Sequence, residues 1–210
     1  MSDKIQSPFE EKLNAISHGV GAILGIIALV LLVIFNTDKT HWSLFSVIVY
    51  GASIILLFAV STVYHTVKDV VKKHSFRILD HISIYVLIAG TYTPVCLITL
   101  SDSSGWTIFW VVWGIAAFGV VLKLFFTGRF ELFSTLLYLV MGWLIVFDFT
   151  TLSNGIGSDG VFMLFAGGLA YTVGIIFYAI HKIPYNHVIW HLFVLAGAIF
   201  HFFMIFLYVI

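Results

Sequence analysis

Charge is what this chain has least of. Only 10% of its 210 residues are Asp, Glu, Lys or Arg, where a soluble domain carries roughly 25%. A chain so poor in charge lacks the polar surface that keeps a globular protein in water. Its formal net charge is zero, which argues against nucleic acid as a partner. Cysteine occurs once, at Cys96, so no disulfide can form within the chain. What the sequence holds instead is 61% hydrophobic residues and a mean hydropathy of +1.09. These values place it among integral membrane proteins. The N-terminal stretch MSDKIQSPFEEKLNAISHG mixes acids and bases and has no small-residue cleavage site. The first apolar run is therefore expected to be a retained helix, not a cleaved signal.

A helix crossing ~30 Å of hydrocarbon needs about 20 apolar residues. Seven runs of that length are present, at 19–35, 42–64, 78–100, 106–126, 133–152, 161–180 and 188–210. The breaks include NTDKTH at 36–41, SDSSG at 101–105 and SNGIGSDG at 153–160. No linker divides the chain, so residues 1–210 read as one domain, an all-α bundle of seven transmembrane helices. Lys4, Lys12, Lys68, Lys72, Lys73, Arg77, Lys123, Arg129 and Lys182 fall on one side of these spans, and only Lys39 on the other. Cytoplasmic flanks are enriched in Lys and Arg. The expected orientation is N-terminus in the cytoplasm and C-terminus outside, in the cell membrane. Ser7-Pro8-Phe9-Glu10 has the form of a capping box with proline at the first helical position. With Ile5, Phe9, Leu13 and Ile16 at helical spacing, it predicts a short interfacial helix on the cytoplasmic face before the first span.

Polar side chains inside a membrane are costly and usually functional. Here they gather at one depth. Glu11, Asn14 and His18 lie at the mouth of the first span, Ser61 and His65 at the end of the second, Asp80 and His81 at the start of the third. His187 and His191 open the seventh. An i, i+4 pair shares one helix face, so His187 and His191 can reach one ion. With His65 they make three imidazoles from two helices, the donor set of a zinc site with an open fourth position. Zinc lowers the pKa of a bound water to about 7. Asp80 is then placed to hold that water or act as general base, and Ser61 to orient it or polarise a carbonyl. Simpler roles exist for some of these residues. Asp80 can cap the third span, and His187 with His191 can be interfacial polars. His41 and His74 read as solvated loop residues, and His181 as a helix end at the interface. His201 is ten residues beyond His191, about 15 Å along a helix, too far for the same metal and suited to an interhelical hydrogen bond. Gly21-x-x-x-Gly25 is a small-residue packing motif.

Glu11-x-x-Asn14-x-x-x-His18, Ser61-x-x-x-His65, Asp80 and His187-x-x-x-His191, with His201 beyond, resemble in order the motifs of the haemolysin III family. That family is the bacterial branch of the progestin and adiponectin receptor superfamily. The resemblance covers essentially the whole chain. It implies an intramembrane zinc site near the cytoplasmic face at His65, His187 and His191, with Asp80 on the water. Similar alkaline ceramidases imply a zinc-dependent hydrolase of lipid amides or esters, with membrane lipids as substrate or ligand. The long N-terminal domain of the hormone receptors has no counterpart here. A retinal protein is excluded, because no lysine follows Lys182 to form the Schiff base. A G-protein-coupled receptor would place its N-terminus outside, against the charge count. The competing expectations are a pore-forming cytolysin, or a lipid or membrane-fluidity sensor, with zinc purely structural. Few polar residues line the outer halves of the spans (Thr91, Thr93 and His201 are the main ones), which favours a one-sided site over a pore.

Overall fold

In a computed structural model, residues 6–210 are described, and among them there are helices and connecting turns but no strand. Helix α1 (Pro8–Ile34) starts at the expected cap. Ser7 Oγ accepts from the Glu10 amide at 3.2 Å, and the Glu10 carboxylate accepts from the Ser7 amide at 2.8 Å. It then continues without a break into the apolar stretch. The expected separate interfacial helix is therefore corrected: its residues are the first turns of α1, because nothing between Ile16 and Gly19 interrupts the backbone ladder. Lys4 and Ile5, named above, lie outside the described residues. Helices α2 (Ser43–Thr66), α3 (Val70–Pro94), α4 (Gly105–Phe126), α5 (Glu131–Trp143), α6 (Phe149–Ala179) and α7 (Asn186–Met204) follow. A π-helical turn, Val95–Thr99, extends α3, a 3₁₀ turn, Leu144–Asp148, joins α5 to α6, and a second π turn, Ile205–Val209, extends α7.

Two further boundaries differ from the hydropathy reading for one physical reason. Hydropathy reports where a segment meets lipid, not where its backbone becomes helical. Helix α3 begins eight residues before its apolar run, with the Asp69 side chain capping it by accepting from the Lys72 amide. Asp80 is thus inside α3 and does not cap it. The polar stretch 153–160 is likewise helical apart from one residue, Gly157, at φ 67° and ψ −179°. Only glycine takes that conformation readily.

Among the described residues, six helical segments are long and apolar enough to cross a membrane. The segment Glu131–Ala179 has 49 residues, about twice the length one crossing needs. It folds back on itself at Gly157. Trp143 Nε1 donates to Thr172 Oγ1 at 3.4 Å, and Phe149 packs on Phe165 with centroids 5.7 Å apart. Both pairs are nearly symmetric about residue 157.

The bundle is apolar on its outer surface as well as in its core, and a minority of polar side chains is buried within that core. Phe125, Leu132 and Phe147 are largely exposed, while Asn14, His18, His65, Lys123 and His191 are buried. Helices α1 and α2 approach closely at the small-residue motif, where a Cβ on Gly21 would fall 2.5 Å from the Phe58 ring and one on Gly25 2.8 Å from Ile54. The side-chain pairings fix the direction of every helix. Glu11 meets His65 and Gly25 meets Ile54, so α1 and α2 are antiparallel. His18 meets His191 and Phe35 meets Phe206, so α1 and α7 are parallel. One end of the bundle therefore gathers the starts of α1, α3, α5 and α7 with the ends of α2, α4 and α6.

Candidate metal centre

His65 is the penultimate residue of α2, and His187 and His191 occupy the first turns of α7. The start of α7 is pinned to α6 by Asn186, whose amide Nδ2 donates to the Phe177 carbonyl at 3.2 Å. From there the helical spacing turns both histidines toward the end of α2. One ring nitrogen from each of His65, His187 and His191 lies within 4.8 Å of the others, a set that can hold a metal ion. Ring centroids are 4.6 Å apart for His187 and His191, 4.9 Å for His65 and His191 and 5.2 Å for His65 and His187. His65 Nε2, His187 Nε2 and His191 Nδ1 are buried without a hydrogen-bond partner among the described residues. Buried polar atoms almost always find partners. Three clustered imidazoles, each with an unpartnered nitrogen, could serve as the donor set of a divalent metal, so the residues present fit such an ion.

Around the triad stands a second layer. His65 Nδ1 is 2.6 Å from Glu11 Oε2, and Lys73 Nζ donates to Glu11 Oε1 at 2.7 Å. The His18 ring stacks on His191 with centroids 3.6 Å apart and planes 10° from parallel. Asn14, also buried, donates from Nδ2 to Gln6 Oε1 at 2.6 Å. Ser61 is buried one turn below His65 and faces the Asp80 carboxylate. Asp80 is outside the metal-competent set and lines a cavity of about 270 Å³ with His187, Tyr64, Lys73, Arg77 and Tyr178. The cavity lies on the polar side of the triad.

Every side chain singled out for this centre from the sequence lies at the same end of the bundle. His65, His187 and His191 come together; Ser61 and Asp80 stand beside them. His201 does not join them. It bonds from Nε2 to the Leu164 carbonyl at 3.2 Å, linking α7 to α6, and borders an apolar cavity of about 100 Å³ between Leu57, Leu87, Ile88, Trp190 and Val194. His41 is an exposed loop residue; His74 is exposed but helical, on the early turns of α3. Sequence reasoning named Glu11, Asn14 and His18 without a role and counted Lys73 only for orientation. Their spacing of i, i+3 and i+7 on one helix was the signal that they share a face. Missed altogether was a buried charge cluster beside the centre, in which Lys123 Nζ donates to Glu131 Oε2 at 2.9 Å and Arg77 Nη2 approaches Glu131 Oε1 at 3.8 Å.

Fold and site together define an integral-membrane helical bundle with a buried histidine cluster at one end. The family model described as Haemolysin-III related matches residues 6–202. The chain is 46% identical over 202 residues to "Hemolysin-3" of Bacillus cereus, covering 96% of this chain and 92% of that protein. It is 45% identical over 200 residues to the "Hemolysin-3 homolog" of Bacillus subtilis (strain 168), covering 95% and 94%. The human "Monocyte to macrophage differentiation factor" is 30% identical over 206 residues, covering 95% and 84%. No solved structure matches the chain. The chain belongs to the haemolysin III family, within the progestin and adiponectin receptor superfamily.

Proposed function

We propose that this protein crosses the cell membrane seven times, N-terminus inside, and is a zinc-dependent hydrolase of lipid amide or ester bonds. The observation that carries the enzymatic reading is a triad of bare imidazole nitrogens beside a carboxylate that borders an open cavity. His65, His187 and His191 would hold the ion. Zinc, when bound, supplies a Lewis acid for the carbonyl and makes water acidic near neutral pH. The protein's own groups do the rest. Asp80 accepts the proton of the attacking water and returns it to the departing amine or alcohol. Ser61, whose hydroxyl has no partner among the described residues, is placed to orient that water or polarise the carbonyl. The cavity, which reaches both Asp80 and His187, gives the water that the reaction consumes a path to the site.

Seven crossings are supported by the reversal at Gly157, which divides the longest apolar segment into two arms. The orientation is supported by the described Lys and Arg: eight lie at the end that bears the triad, and Lys39 at the other. A reporter fused after Ile210 should be active only outside the cytoplasm, and strong cytoplasmic activity would overturn the orientation. A second reading, in which the metal is structural and the protein is a sensor or cytolysin, draws on one observation: the His65 side chain is fully enclosed, so an ion there would tie α2 to α7. Elemental analysis of the purified protein, followed by mass spectrometry of lipids incubated with and without chelator, separates the two. Chelator-sensitive lipid cleavage is the expected result. Bound metal without turnover of any lipid supports the structural reading.

A further inference from the structure

We propose that α1 is the positioning helix of the metal centre: Glu11 fixes the tautomer of His65, and His18 fixes the plane of His191. The inference rests on the metal-site reading above. A neutral imidazole carries one N–H, and the nitrogen opposite it holds the lone pair that binds a metal. At His65 the two nitrogens have different neighbours. Nδ1 meets a Glu11 carboxylate oxygen at 2.6 Å, while Nε2 is buried with no partner among the described residues. A carboxylate only accepts, and its other oxygen already accepts from Lys73 Nζ at 2.7 Å. The proton must therefore sit on Nδ1. In a neutral ring that leaves the lone pair on Nε2, the nitrogen buried without a partner among the described residues. Carboxylate partners of this kind orient metal-binding histidines and raise their basicity, and their loss typically costs 10–100-fold in metal affinity.

His18 acts differently. Its ring is 3% exposed, and both of its nitrogens lack partners among the described residues. It is wedged between His191, stacked face to face at 3.6 Å, and the edge of Phe58 at 4.9 Å. A ring stacked parallel on a ligand ring aims its nitrogens alongside that ligand's target and not at it. His18 accordingly stands outside the set of three mutually close nitrogens. What it supplies is a flat surface that stops His191 from rotating. The two contacts lie on one face of α1, two turns apart, so docking of this single helix sets two of the three rings.

The test uses the full chain in detergent and reads metal binding and ring protonation. Zinc affinity is measured by chelator competition for wild type, Glu11→Gln, Glu11→Ala, His18→Phe and His18→Ala. Glu11→Ala should weaken binding 10–100-fold, and the isosteric Glu11→Gln less, since its amide oxygen still accepts a hydrogen bond. His18→Phe keeps the stack and should hold zinc within about threefold of wild type, while His18→Ala should be weaker than His18→Phe. Nitrogen-15 spectra of histidine-labelled, metal-free protein should show His65 protonated on Nδ1 in wild type and a mixture of tautomers in Glu11→Gln. Unchanged affinity in Glu11→Ala together with an unchanged His65 tautomer in Glu11→Gln sinks the role of Glu11. Loss of zinc in a folded His18→Phe makes His18 a ligand and overturns its positioning role. Wild type that binds no metal at all defeats the metal reading itself, and the tautomer of His65, read without metal, still reports on Glu11 independently.

Discussion

The two ends of the bundle handle polar groups in opposite ways. At the end away from the histidines, polar side chains close the loops. Asp148 accepts from Ser103 Oγ at 2.8 Å and from Ser104 Oγ at 2.5 Å, Thr40 Oγ1 donates to the Leu97 carbonyl at 2.9 Å, and Lys39 Nζ donates to the Val209 carbonyl at 3.0 Å. At the other end His18, Ser61, His65, His81, His187 and His191 all keep at least one buried polar atom without a partner. The ends differ in residue type, with Asp, Ser, Thr and Lys bonded at one and mostly histidines at the other, and they differ in how far those side chains are satisfied. An unpaired buried polar atom costs about 1–3 kcal/mol, and among the described residues such atoms concentrate on converging helices at the histidine end, Asn14 included, against Asn36 at the other; that is the pattern expected of a ligand site.

The contrast can be broken by experiment, and the largest effect belongs to the triad. His191→Ala should remove most of the bound metal from a folded chain, measured by elemental analysis; full occupancy would end the assignment. Next comes Asp80→Asn. Asparagine keeps the size but cannot take a proton, so zinc should stay bound while chelator-sensitive lipid hydrolysis falls 10²–10⁴-fold. Loss of metal and activity together would make Asp80 a ligand or an anchor of one. Gly157→Ala tests the reversal between the arms of α6. The added Cβ meets no atom within 4 Å, so its cost is backbone strain alone, about 1–3 kcal/mol, seen as a lower Tm with metal content unchanged. Asp148→Ala should do least, lowering Tm by about 2–4 °C and leaving zinc affinity as it was. A change in zinc affinity on altering Asp148 would show that the two ends are coupled.

The histidine cluster could be read from the sequence because two ordinary regularities pointed to it. His187 and His191 share a helix face by spacing alone, and alternating crossings bring the end of one span beside the start of another. The same regularities say nothing about which face of α1 meets α2 and α7. That is set by the close approach at Gly21 and Gly25, and it is what turns Glu11 and His18 inward. The start of α3 at Val70 was hidden for another reason. VVKKHSFR is helical yet too polar to register as a span, so Asp80 looked terminal when it is interior. Gly157 was hidden too, because a polar stretch that is helical on both sides of one residue looks, by hydropathy, like any loop.

Among the described residues, Lys39 is the one Lys or Arg at its end of the bundle. Its ammonium rests against a carbonyl at the last turn of the chain's final helical segment, where the helix dipole is negative. A lysine held there serves as a helix cap. The contact joins residues 170 positions apart in the sequence. In the finished fold the turn after α1 is thereby latched to the last turn of the chain, at the end of the bundle away from the histidines.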